Sequence, residues 1–147
     1  MKKIILSLMV LLFSLNCIAQ SNNVTNTQKE FMFFVYSDGN RVADLSSKKQ
    51  QLHIQKIGAY IENLAKTGKL KDAQPLEMEG INISSSKGDL SEEVLNKDRK
   101  VIAGYYHILA KDMTEAIKIA KSDPRFEEDG WKIEIRQIKK VTGINKK

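Results

Sequence analysis

A chain of 147 residues, 41% hydrophobic and 29% charged, fits one domain with an ordinary core and excludes a largely membrane-embedded protein. Its single cysteine, Cys17, excludes a disulfide framework and thiolate metal sites in the body of the chain. The net charge of +6 comes from scattered lysines with a small cluster at Lys139, Lys140, Lys146 and Lys147. No aromatic residues interleave with them, so a solvated surface is favoured over nucleic-acid contact.

At the start, Lys2 and Lys3 precede an apolar run from Ile4 to about Ser14, followed by Leu15, Asn16, Cys17, Ile18 and Ala19. Charged, apolar and small-residue regions in that order predict a signal peptide over residues 1–19, cut after Ala19, and export to the periplasm or beyond. The run is shorter than the roughly 20 residues a membrane anchor needs, so no membrane association is expected once the leader is gone. Lipid attachment at Cys17 is the alternative, but Ser14 and Asn16 depart from its usual pattern. Residues 20–29 are polar and read as a flexible spacer, residues 30–140 as the domain, and residues 141–147 as a basic tail.

Phe31 to Tyr36 form an aromatic, two-sided apolar run that stops at Ser37-Asp38-Gly39-Asn40, a strand and a turn. Between residues 47 and 67 the period changes: Ile54, Ile57, Ile61 and Leu64 make one helical stripe, and Gly68 suits its left-handed stop. Leu76, Met78, Ile81 and Ile83 alternate with a slip at Gly80, which predicts a bulged strand, and residues 84–97 read as an exposed loop. Val101 to Leu109 is a second two-sided strand, with Ile102, Tyr106 and Ile108 expected on one face and Val101, Ala103, Tyr105 and Leu109 on the other. Asp112 and Glu115 make an acidic capping box for a helix carrying Met113, Ala116, Ile117 and Ala120, which ends before Pro124. The last strand turns Trp131, Ile133 and Ile135 one way and Lys132, Glu134 and Arg136 the other.

The order βαββαβ predicts an α+β fold: an antiparallel four-stranded sheet with both helices on one face. Two strands apolar on both faces cannot be covered by helices on one side alone. A homodimer through the open sheet faces, enclosing a cavity, is therefore expected.

The segments Glu30-Phe31-Met32-Phe33-Phe34-Val35-Tyr36, Ala103-Gly104-Tyr105-Tyr106-His107-Ile108-Leu109-Ala110-Lys111-Asp112 and Ile133-Glu134-Ile135-Arg136 resemble the first, third and last strands of the YCII-related domain family. The DGPF tetrapeptide of one branch is absent between Leu90 and Arg99, and Gln137 stands where that branch has proline. The resemblance implies a ferredoxin-like fold, a dimeric α/β barrel and, in a few relatives, isomerase or lyase chemistry on small acids by a histidine and an aspartate.

Two histidines narrow the search for such chemistry. His53, in the first turns of the long helix, resembles the family's histidine, and Asp38 is its candidate acidic partner; a helix-surface histidine and a turn aspartate are the plain alternative. His107 reads as a core or pocket-lining residue. Arg136 is the candidate cation for a carboxylate ligand, with Tyr106 lining the same cavity, and an edge-strand arginine in water is the plain alternative. No His, Cys, Asp or Glu group has metal-site spacing and no glycine-rich phosphate loop follows a strand, so neither metal nor cofactor is expected. The favoured reading is an exported protein binding a small acidic ligand in a homodimer cavity, with weak acid-base chemistry left open. A non-catalytic structural or interaction module of the cell envelope is the alternative.

Overall fold

The computed structural model describes residues 28–95, 99–141 and 143. The leader, most of the spacer and most of the basic tail lie outside them. Six strands and two helices run in the order β1 (Lys29–Asp38), α1 (Ser47–Lys66), β2 (Leu70–Pro75), β3 (Ile81–Ser86), β4 (Asp89–Val94), β5 (Lys100–Ala110), α2 (Met113–Lys121) and β6 (Trp131–Gln137). A four-stranded antiparallel sheet has the order β2-β5-β1-β6, while β3 and β4 form a separate two-stranded sheet.

Strand periodicity decides which face becomes the core. Alternate residues of β1 (Phe31, Phe33 and Val35) point to one side, opposite Ile108, Tyr106 and Gly104 of β5. Leu64 of α1 and Ala116 and Ala120 of α2 pack into this same cluster, so both helices cover one face. Phe31, Phe33 and Ile108 are fully buried, each contributing about 2–3 kcal/mol of hydrophobic stabilisation. Met32, Phe34 and Tyr36 alternate to the other face and are only half-buried.

Local signals set the ends of the helices. Gly68, at φ +65°, supplies the left-handed residue after α1. The Asp112 carboxylate accepts from the Glu115 amide at 2.8 Å, capping α2. Glu115 reaches back one residue further than a capping box requires, accepting from the Lys111 amide at 2.7 Å. That bond and Lys69 hold its carboxyl below the usual range.

Three sequence expectations need correction. The strand expected from Leu76 to Ile83 is misplaced: β2 lies before it and ends at Pro75, residues 76–80 are in no strand, and β3 begins only at Ile81. Proline cannot donate a ladder hydrogen bond, which suits Pro75 to the end of an edge strand. Residues 84–97, expected as a loop, hold the end of β3, all of β4 and the Lys87-Gly88 turn, where both residues have positive φ (52° and 96°), as a tight two-residue hairpin turn demands. Finally, Ile102 does not share a face with Tyr106. Val35 pairs with Gly104 but Tyr36 pairs with Ile102, so Ala103 is an extra residue that reverses the alternation. Val101 therefore turns to the helix side and is buried, while Ile102 joins Tyr36 on the open face.

Candidate functional site

The principal cavity, about 510 Å³, lies between α1 and the helix-covered side of the sheet. Ile54, Ile57 and Gly58 of α1 form one wall, and Ala73, Gly104 and Tyr106 form the other. Gly104 is required by close packing: a Cβ there would stand 2.9 Å from the Gln74 carbonyl oxygen of the neighbouring strand.

The polar end is built by the segment after α2. Asp123 caps a single 3-10 turn, Pro124–Glu127, by accepting from the Arg125 amide at 2.9 Å, and Pro124 fits the first position because its missing N–H is not needed there. The turn places the Arg125 side chain back against the sheet. Its Nη1 donates to Asp123 Oδ2 at 2.9 Å and also to the Tyr106 hydroxyl, which in turn donates to Asp123 Oδ2 at 3.1 Å. Asp123 is shut off from solvent, its side chain 0% exposed against 15% for Arg125. The guanidinium sits over the rings of Tyr106 and Trp131, 5.6 and 5.4 Å from their centroids, within cation-π range. Burial pushes the Tyr106 hydroxyl well above the ordinary tyrosine value, so it stays protonated as a donor.

His53 completes this end. Its ring stacks on Trp131, with centroids 5.6 Å apart and planes inclined by 22°. Its side chain is 9% exposed, and Nδ1 lies 3.8 Å from Glu128 Oε1. That separation supports electrostatic attraction but is too long for a hydrogen bond. His53 also borders a second pocket of about 380 Å³, lined by Arg41, Lys49, Lys56 and Glu128.

The expected trio of His53, Asp38 and Arg136 is not brought together. Asp38 is one step out of phase with Phe31, Phe33 and Val35, pairs with Lys100 in the ladder and forms an ion pair with its Nζ at 3.1 Å. Strand parity turns it away from α1, where His53 stands; the acid beside His53 is Glu128. Arg136 pairs with Met32, also on the open face, is 73% exposed and binds Glu134 at 2.7 Å. Tyr106 does line the cavity, but from its helix side. The residue missed was Arg125, whose role arises from tertiary convergence; Asp123-Pro124 signals the turn ahead of it, and nothing in its sequence neighbourhood signals a ligand.

The open face carries a different histidine-carboxylate pair. His107 Nε2 lies 2.8 Å from Glu30 Oε2, and Lys71 and Lys140 approach the same carboxylate at 3.1 and 2.9 Å. Lys140, then Lys71, lower the Glu30 pKa to about 2. His107, expected in the core or a pocket wall, is thus an open-face residue held by an acid. Among the described residues no group of three or more His, Cys, Asp or Glu side chains could hold a metal ion, and no helix is long and apolar enough to cross a membrane.

No protein-family model matches the chain, and no curated protein is significantly similar to it in sequence.

Proposed function

We propose that this chain is an exported protein of the YCII-related, ferredoxin-like type that binds a small organic acid in the cleft between α1 and the sheet and works as a homodimer through its open sheet face. The observation that carries the binding reading is Arg125, held at one end of a mostly apolar cleft whose lining also includes Asn40, Gln74 and Glu77. Among the described residues its side-chain hydrogen bonds are made from Nη1, so Nε and Nη2 offer a fork for a ligand carboxylate. The Tyr106 hydroxyl and the His53 imidazole lie at the same end, and the apolar walls suit a compact ring or branched body.

The homodimer draws on the half-buried Met32, Phe34 and Tyr36 face. Isomerase- or lyase-type chemistry would run through His53 and requires Glu128 to close from 3.8 Å to hydrogen-bond distance when ligand enters. Binding needs no such movement.

A thermal-shift screen of small aromatic and alicyclic carboxylic acids tests the reading. A stabilising acid should lose its effect in Arg125→Gln, and the matching primary amide should not stabilise the unmodified protein. Acids that stabilise Arg125→Gln as well as the unmodified chain would move the site elsewhere, and a panel with no stabilising acid would favour the interaction module.

A further inference from the structure

The β3-β4 hairpin is the part of the molecule whose chemistry fits its surroundings least. All twelve of its strand residues are exposed. Its register sets Ile81 opposite Val94, Ile83 opposite Glu92 and Ser85 opposite Leu90, so strand parity gathers Ile81, Ile83, Leu90 and Val94 on one side, together with Ser85 and Glu92. The four apolar residues are 60%, 67%, 75% and 74% exposed. The reverse side is polar, with Ser84 and Ser91 hydroxyls joined at 2.7 Å. A lone two-stranded hairpin is at best marginally stable in water, and this one leaves uncovered the apolar side that would stabilise it.

Charge indicates what covers it. The segment from Glu77 to Val94 holds Glu77, Glu79, Asp89, Glu92 and Glu93 against Lys87 alone, an acidic stretch in a chain of net charge +6. The complementary surface is the open face of the main sheet. Half-buried Met32 and Phe34 lie at its centre, and at its margins two cations share each of two carboxylates: Lys71 and Lys140 on Glu30, Lys132 and Arg136 on Glu134. Length fits as well. Six residues of strand extend about 20 Å, whereas the outer strands of a four-stranded sheet stand roughly 14 Å apart.

We infer that β3-β4 is an exchange arm: it lies with its apolar side against the open sheet face of a second copy, which returns its own arm across the first. The exchange is isologous and closes as a two-fold dimer. It rests on the homodimer proposed above and names the element that clasps it. Glu92, on the same side of the arm as the four apolar residues, then meets the cationic margin of the partner sheet.

Sedimentation equilibrium of the full mature chain tests this with substitutions on the arm and on the main sheet. The unmodified protein should be a dimer at micromolar concentration. Ile83→Lys with Leu90→Lys, both at exposed positions, should raise the dissociation constant at least about 30-fold, the loss expected of a hot-spot residue, with an unchanged circular dichroism spectrum. Glu92→Lys should weaken the dimer, and adding Lys132→Glu with Arg136→Glu should restore part of the loss. An arm variant that dimerises as tightly as the unmodified chain, while Phe34→Lys does not, overturns the arm and leaves the sheet dimer standing. A monomeric unmodified chain overturns both.

Discussion

Asp123 and Tyr106 meet in a fully buried hydrogen bond of 3.1 Å, and the same carboxylate oxygen binds Arg125 at 2.9 Å. Removing the acid leaves two buried polar groups without their partner. Asp123→Ala should therefore destabilise the fold by about 3–5 kcal/mol, and Asp123→Asn, which retains a carbonyl acceptor, by less. Urea unfolding of the two variants checks the order.

Gly104 and Gln74 make the second prediction. A Cβ on residue 104 would meet the Gln74 carbonyl oxygen at 2.9 Å and the Pro75 Cα at 3.3 Å, both rigid backbone atoms. Gly104→Ala should cost about 1–3 kcal/mol because β2 must shift outward. Amide exchange should show the disturbance at the β2-β5 ladder, with α2 unaffected.

Gly58 presents the opposite case. It lies within α1 on the cleft wall, and a Cβ there would meet nothing within 4 Å. Gly58→Ala should stabilise the protein by about 0.5–1 kcal/mol through the higher helix propensity of alanine. Gly58→Trp should fill the cleft and abolish any carboxylic-acid shift in melting temperature. If the tryptophan variant still responds to the acid, the ligand is not in this cleft.

The acid limb of the stability profile should carry the signature of Glu30. Its folded pKa, about 2, is depressed from an ordinary 4.5, so the native state favours the ionised form. The stabilisation is complete above pH 4.5 and is lost as pH falls through that window toward 2. Unmodified protein should accordingly be more stable than Glu30→Gln near neutrality, with the difference vanishing at the acid end. A constant difference across the window, measured by denaturant unfolding at each pH, would contradict this origin.

Much of the fold was legible because it rests on periodicity. Ile57 and Leu64, on the expected stripe, are the buried residues of α1, and Trp131, Ile133 and Ile135 pack against the core as their alternation predicts. The hairpin was obscured by its serines and by a Lys-Gly turn that lacks the usual Asn-Gly signal. The site was harder to read for a different reason. Both faces of β1 are apolar, so its sequence does not reveal which side α1 covers, and that choice alone separates Asp38 from His53. Arg125 acquires its setting from Asp123, Tyr106 and Trp131, residues whose proximity only tertiary structure creates.

The extra residue at Ala103 gives β5 one residue more than its pairing with β1 uses. On one side of it Val101 faces the helices, and on the other Tyr106 does; an intervening odd residue lets both do so. Deleting it would leave a regular ladder in which Gly104 still meets Val35 and Ile102 still meets Tyr36, so Val101 stays inward and Ile102 outward. The middle of β5 can thus absorb a change of count at this one position without exchanging its faces. Among descendants of this sequence, a single-codon deletion there is open alongside drift by substitution.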